Sequence, residues 1–362
     1  MDNELLFFNA FNQIPSIGPV RFRKLLTHFP NLETAWRAGA AEFLAAGLED
    51  NVVAEIMGAR GQIDPEEELA KLKSRQVELL TIRDAAYPKL LKEIPNPPAV
   101  LYIKGELLPA DELSVAVVGT RKISPYGRQV AEDIVRQLTG AGVTITSGLA
   151  LGVDAVAHRS VLENGGRTLA VLACGLDSIY PASNRQIGES IAAGHGALIS
   201  ELPLGTPPLK HHFPNRNRII AGLSLGTVVI EAAAESGALI TARHALEQNR
   251  QVFAVPGSIY NPGSVGPNNL LKMGAKPVTS AADILEDLNL GHLEEQIKTQ
   301  EVAGDNEEET AILKLLTREP IHIDSIVKTA GLSASAVAAT LTIMEMKGKV
   351  RNLGANQYVL SR

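Results

Sequence analysis

The 362-residue chain predicts an α/β protein built on a doubly wound, Rossmann-like parallel sheet, flanked by an N-terminal helical domain and a C-terminal winged helix. Three observations predict it. The length asks for two or three domains at about 100 to 200 residues each. Between residues 99 and 257, near-continuous apolar runs (AVLYIKG, SVAVVGT, VTITSG, TLAVLAC, GALISEL, GTVVIEA and QVFAVPG) alternate with helical segments, the pattern of parallel strands buried on both faces. Aromatic residues make up only 4% while Gly numbers 31, which suits closely packed helices on a sheet better than an all-β core.

The first 70 residues read as short helices. In IPSIGPVRFRKLLTHF, Ile14 and Ile17 flank a turn, and Gly18-Pro19 opens a helix expected to bury Val20, Leu25 and Leu26. This is the shape of a helix-hairpin-helix, whose turn can offer backbone N–H groups to a phosphate. The same residues also read as a tight turn between helices with no ligand. Asp64-Pro65-Glu66-Glu67-Glu68 starts a further helix, with Pro and carboxylates in its first turn, and this helix is expected to join two domains.

The sheet domain spans residues 78–288, with helices expected over 125–140, 152–164, 184–193, after Asn215, and over 239–248. Residues 291–308 read as an acidic linker. In the winged-helix domain, 309–362, EETAILKLL, HIDSIVKTAG and SASAVAATLTIMEMKG give three helices, with Ser333 as the expected cap of the third. Two short strands follow around Gly354-Ala355. The supposed recognition helix carries Ala, Val, Thr and Met in place of the Arg, Asn or Gln that read base edges. It therefore points to generic DNA or protein docking, with Lys347, Lys349 and Arg351 around the wing.

The formal net charge of −6 seems to argue against nucleic acid as a partner. Residues 291–310, however, hold seven acids against the single base Lys298, and this stretch alone accounts for the excess. A basic face elsewhere is compatible with the total. Cys174 is the only cysteine, so an intrachain disulfide and a multi-cysteine zinc site are excluded. MDNELLFFNAFNQ has no basic region before an apolar run, and no segment approaches 18 uninterrupted apolar residues. The chain reads as cytoplasmic and soluble, with no membrane partner.

Ligands of doubly wound sheets bind beyond the carboxyl ends of the strands. The candidate residues there form neither a G-x-G-x-x-G fingerprint nor a phosphate-binding GxxxxGK[ST] loop, so no dinucleotide or NTPase site is supported. Gly119, Thr120 and Arg121 follow SVAVV, and Arg121 offers the planar fork that matches phosphate oxygens, or else pairs with a carboxylate such as Asp154. In SGLALGVDAVAH, Gly148 and Gly152 permit close backbone approach at a helix N-terminus. Asp154 and His158 stand four apart on one helical face, as a hydrogen-bonded structural pair or an acid–base couple. KHHFPNRNR concentrates Lys210, Arg216 and Arg218 with His211, His212 and Asn217 around one aromatic, Phe213. Cations interleaved with an aromatic suit single-stranded nucleic acid.

These segments, with LACGLDSIYPASN, ISELPLGTPPLKHHFPNRNRIIAGLS, ESGALITARHALEQNRQVFAVPGSI and VGPNNLLKMGAKPV, resemble the DNA-processing protein A (DprA, or Smf) family over about residues 80–288. The resemblance implies a Rossmann-like domain with a SAM-like N-terminal domain and a winged helix. It also implies a non-enzymatic mediator of natural transformation, without a cofactor. Such a protein binds incoming single-stranded DNA, shields it, and hands it to RecA recombinase while displacing single-strand-binding protein. The implied DNA contacts are Arg121, Lys210 and Phe213, with Gly119, Thr120, Gly148, Gly152, Arg216, Asn217 and Arg218 in the matching motifs. Thr120 departs from the family's usual Ser but keeps the hydroxyl. A homodimer surface is implied near Leu270, Leu271 and Met273.

Two other readings compete. GLSLGTVVIEA is similar to the PGGxGTxxE segment of LOG-type nucleotide phosphoribohydrolases, with Glu231 at the carboxylate position, although the two glycines after Pro are replaced. On the binding reading Glu231 is a structural hydrogen-bond acceptor. A winged-helix transcription regulator with an α/β sensor domain is the third reading.

Overall fold

The computed structural model describes residues 2–291, 306–316, 320–354 and 356–360. Most of the expected acidic linker lies outside the described residues. Six helices open the chain: α1 (Asp2–Asn12), α2 (Pro19–His28), α3 (Leu32–Arg37), α4 (Ala40–Ala45), α5 (Asp50–Ala59) and α6 (Pro65–Ser74). Local chemistry sets their starts. Gly18 and Pro19 open α2, and the Asp64 carboxylate accepts from the Glu66 and Glu67 amides at 2.9 and 3.2 Å to cap α6. The face α2 buries is Phe22 and Leu25, whereas Val20 is 54% exposed. This corrects the expected face: residues three or four apart share a side of a helix, and Val20 stands five from Leu25.

The sheet segment then runs β1 (Glu78–Thr81), α7 (Lys89–Lys92), β2 (Val100–Gly105), β3 (Ser114–Val118), α8 (Pro125–Gly140), β4 (Thr144–Ser147), α9 (Val153–Glu163), β5 (Thr168–Val171), α10 (Arg185–Ser190), β6 (Gly196–Ser200), α11 (His212–Gly222), β7 (Gly226–Val229), α12 (Gly237–Glu247), β8 (Gln251–Ala254), α13 (Val265–Lys272), β9 (Lys276–Pro277) and α14 (Ala281–Asp287). The strand order is β1-β2-β6-β5-β4-β3-β7-β8-β9. All pairs from β6 to β9 are parallel. The chain winds outward from β3 through β6, then crosses over to β7, so the topological switch point falls between β3 and β7. At the opposite edge β2 pairs antiparallel with β6, and β1 antiparallel with β2. The run AVLYIKG is thus an antiparallel addition to a parallel sheet, a common way for an edge to be extended.

The N-terminal helices are built into this body. Phe8, Phe11, Phe22 and Trp36 share one apolar core with Tyr102, Leu172 and Leu198. The Tyr102 hydroxyl donates to Asn9 Oδ1 at 2.8 Å and accepts from Asn12 Nδ2 at 3.1 Å. Helix α6, expected to join two domains, packs on α1, with Gln13 Nε2 donating to Glu68 Oε2 at 3.2 Å. The described part of residues 1–294 is accordingly one compact unit.

The second unit, within residues 295–362, contains α15 (Glu307–Leu313), β10 (Ile321–His322), α16 (Ile323–Ala330), α17 (Ala334–Met346), β11 (Val350–Gly354) and β12 (Gln357–Leu360). Its antiparallel sheet has the order β10-β12-β11, and Ile312, Ile326, Val337, Leu341 and Met344 fill its core. Asn306 caps α15 through the Glu309 amide at 2.7 Å, so the domain's first helix begins inside the stretch expected as linker. Ser333 caps α17, and Gly331 ends α16 in the left-handed conformation at φ 67°. Two of the three expected wing cations are engaged internally: Lys347 and Lys349 pair with the buried Glu309 carboxylate at 2.6 and 2.7 Å. Arg351 stays exposed. Among the described residues no single helix is long and apolar enough to cross a membrane.

Candidate nucleic-acid interface

Three loops meet beyond the carboxyl ends of β3, β4 and β5. After β3 the chain turns at Gly119, where a Cβ would lie 2.4 Å from Val153 Cγ2 and 2.8 Å from the Glu231 carbonyl oxygen. Only glycine fits. The Thr120 amide donates to the Glu231 carbonyl at 2.6 Å, and the Thr120 hydroxyl accepts from the Lys122 amide at 3.1 Å, tying the loop to the end of β7. The Arg121 side chain projects outward. Its guanidinium carbon lies 5.2 Å from the centre of the Phe213 ring, and among the described residues it pairs with no carboxylate.

The loop after β4 is packed from within. A Cβ at Gly148 would come within 2.5 Å of the Arg216 guanidinium, and one at Gly152 within 2.1 Å of the Thr120 carbonyl oxygen. Gly152 also has φ 78°. These glycines give close approach to the protein's own side chains and backbone. Asp154 is not the partner of Arg121: it is buried, and its carboxylate accepts from the Gly148 and Ala150 amides at 3.1 and 3.3 Å. Burial pushes its pKa up, against the nearby Arg216 charge and these hydrogen bonds.

Nor does Asp154 bond to His158. His158 Nδ1 lies 2.7 Å from Thr168 Oγ1, whose own proton goes to the Ile145 carbonyl, so Nδ1 carries the imidazole proton. Nε2 has no partner among the described residues. Burial and the Arg216 charge push this imidazole down to about 3. Both residues are structural.

Helix α11 begins at His212, four residues before the expected start, because Pro214 falls in the first turn where a missing N–H costs nothing. The early start decides where each member of KHHFPNRNR points. Lys210 is exposed ahead of the helix and Phe213 is half-buried in its first turn. Arg216 and Asn217 turn inward and are buried. Arg216 Nη1 donates to the carbonyls of Gly148, at 2.7 Å, and Val171, while Nε donates to Asn217 Oδ1 at 3.2 Å. Burial pulls its pKa down to about 10, so it stays charged at neutral pH. Asn217 Nδ2 reaches the Gly237 carbonyl at 3.2 Å, and Arg218 forms a mostly buried ion pair with Glu201. Arg216, Asn217 and Arg218, expected among the DNA contacts, are thus held by partners within the protein. They brace the site, while Arg121, Lys210 and Phe213 present its surface.

One surface residue escaped the sequence reading. Tyr180, from the loop after β5, is 47% exposed, and its ring meets Phe213 edge-on at 5.9 Å between centroids. An aromatic beside Pro181 in a strand-end loop was the available signal. A cavity of about 290 Å³ lies against Phe213 on the side of the switch point, with Arg121, Asp154, Asn217, Ser236 and Thr241 in its wall.

Glu231, the carboxylate of the hydrolase reading, is sealed. It is buried and accepts from the Ser124 amide at 2.9 Å, the Ser124 hydroxyl at 2.6 Å and Asn261 Nδ2 at 3.3 Å. A Cβ at Gly127 would lie 2.3 Å from its Oε2. Of the residues expected at a dimer surface, Leu270 belongs to the core and Leu271 packs partly against it. Met273 is 77% exposed.

Residues 78–289 match the family model described as DNA recombination-mediator protein A, and residues 296–356 match the one described as the DprA winged helix domain. The chain belongs to the DNA recombination-mediator protein A family. Among its DprA relatives, Protein Smf of Synechocystis sp. is 37% identical over 398 aligned residues, covering 99% of each chain. The DNA processing protein DprA of Bacillus subtilis is 44% identical over 221 residues, 61% of this chain and 74% of that one. The X-ray structure of DprA from Streptococcus pneumoniae superposes with a TM-score of 0.67 at 36% identity, covering 77% of this chain and 95% of that one. A DprA structure from Helicobacter pylori, described as giving insight into a unique single-stranded DNA binding mode, has a TM-score of 0.53 at 32% identity and covers 59% and 96% of the two chains.

Proposed function

We propose that this DprA-family protein is a single-stranded DNA-binding recombination mediator rather than an enzyme. It binds and shields strands entering the cytoplasm during natural transformation, displaces single-strand-binding protein and loads RecA. The observation that carries the reading is the Arg121 guanidinium, with no carboxylate partner among the described residues, laid over Phe213 with Lys210 exposed in the adjoining segment, a cation–aromatic surface at the carboxyl end of the sheet. The single-stranded DNA binding described for the H. pylori relative supports it. Backbone contacts dominate this mode of binding, so it tolerates many sequences. The protein acts as a homodimer through the exposed face around Met273, and two linked sites raise the effective concentration of DNA.

The enclosure of Glu231 favours binding over nucleotide hydrolysis, since a carboxylate already holding three donors has little capacity left for a substrate. A mobility shift comparing single- and double-stranded DNA of one sequence tests the reading, and tighter single-stranded binding is expected. Incubation with nucleoside monophosphates should release no free base. Release of base, or a preference for duplex, would overturn it.

A further inference from the structure

We propose that Tyr180 is a second base-stacking platform, next to Phe213, in the single-stranded DNA site. The inference rests on the binding function proposed above and adds a residue to it. Tyr180 leaves 47% of its surface open at the carboxyl end of the sheet, where a purely structural tyrosine would pack its ring. One face of Phe213 already carries Arg121 at 5.2 Å, and Tyr180 packs against Phe213 at 5.9 Å between centroids with the two rings inclined by 64°. Arg121, Phe213 and Tyr180 therefore share one surface, with the Phe213 ring against both the cation and the second ring. The loop behind Tyr180 is anchored, because buried Asn184 donates from Nδ2 to the Leu149 and Ala150 carbonyls at 2.9 and 3.1 Å. That anchoring joins the loop after β5 to the glycine loop after β4. A ring so held can receive a base with little ordering cost. A strand whose phosphate meets Arg121 then sets successive bases against Phe213 and Tyr180.

Fluorescence anisotropy with a labelled oligonucleotide, at several salt concentrations, provides the test. Tyr180→Leu should weaken binding about five- to 150-fold, the range of one lost base–aromatic stack. Tyr180→Phe should stay within about twofold of the wild type. The log–log salt slope should not change in either variant, because stacking releases no counterions. Tyr180→Trp should give tryptophan emission that DNA quenches, a signal that a merely structural residue would not produce; Trp36 lies in the N-terminal core. Wild-type affinity in Tyr180→Leu, or Trp emission at position 180 indifferent to DNA, would overturn the inference while Arg121→Ala still registered the site. Failure of the wild type to bind single strands would bring down the functional reading, and the inference with it.

Discussion

Replacing Arg121 by alanine isolates one phosphate contact. Arg121 pairs with no carboxylate among the described residues, so its loss strands no buried charge, and stability should stay within about 0.5 kcal/mol of the wild type. A charge-assisted hydrogen bond contributes about 1.5 to 3 kcal/mol, and the exposed cation–aromatic contact about 0.5 to 1 kcal/mol by holding Phe213 in place. Together they predict a loss of about 2 to 4 kcal/mol in DNA binding, or roughly 30- to 800-fold. The loss should be similar for strands of different sequence. One phosphate fewer also makes the plot of log affinity against log salt shallower by about 0.7. Arg121→Lys keeps the charge and should preserve the slope while losing part of the affinity, because an ammonium lacks the planar fork. Anisotropy titrations between about 50 and 200 mM salt measure both quantities. An unchanged slope in Arg121→Ala would remove Arg121 from the phosphate site, and a loss confined to one sequence would refute backbone-dominated binding.

Three further outcomes are expected. Met273→Arg should leave the fold intact but yield monomers with weaker apparent DNA affinity on sizing chromatography; Met273, 77% exposed, is a cleaner probe than Leu271, which packs against the core, and a monomeric wild type at micromolar concentration would end the dimer reading. A chain ending at Glu294, the boundary of the first compact unit, should keep its single-stranded affinity within about tenfold, or 1.4 kcal/mol; a larger drop with the oligomer preserved would place the winged helix in the main DNA site. His158 should make the fold acid-sensitive: its imidazole is held down to about 3 in the native state against about 6.5 unfolded, so below pH 6.5 the unfolded chain takes up a proton that the native one does not. Stability then falls towards acid by up to about 1.4 kcal/mol per pH unit, and urea melts of His158→Gln at pH 7 and 5 should show about 2 kcal/mol less pH dependence than the wild type; equal pH dependence would contradict the buried, neutral state.

Much of this architecture is written in short-range pattern. The strands β3 to β8 appear as apolar runs because both faces of a central parallel strand are buried, and Asp64 and Ser333 announce their helices through local hydrogen bonds. Gly119 and Arg121 stand out as a turn and a cation at a strand end. The antiparallel placement of β2 was not legible, since a strand's own residues do not record the direction of its neighbour. Val20 shows a subtler limit: α2 starts where expected, but its buried face runs through Phe22 and Leu25 and leaves Val20 exposed.

What the sequence by itself determined was the order of elements, the family-defining motifs, and the concentration of charge and aromatic character in Lys210–Arg218. Only the tertiary structure decided which of those charges face water. Arg216 reaches a carbonyl 68 residues away at Gly148, Arg218 an acid 17 residues away at Glu201, and Lys349 an acid 40 residues away at Glu309. A cationic side chain is drawn inward when a distant acceptor offsets its desolvation, and that acceptor leaves no mark beside it in the chain. Among the described residues Arg121 and Lys210 have no such partner, and so the surface that remains for DNA is smaller than the cationic run in the sequence.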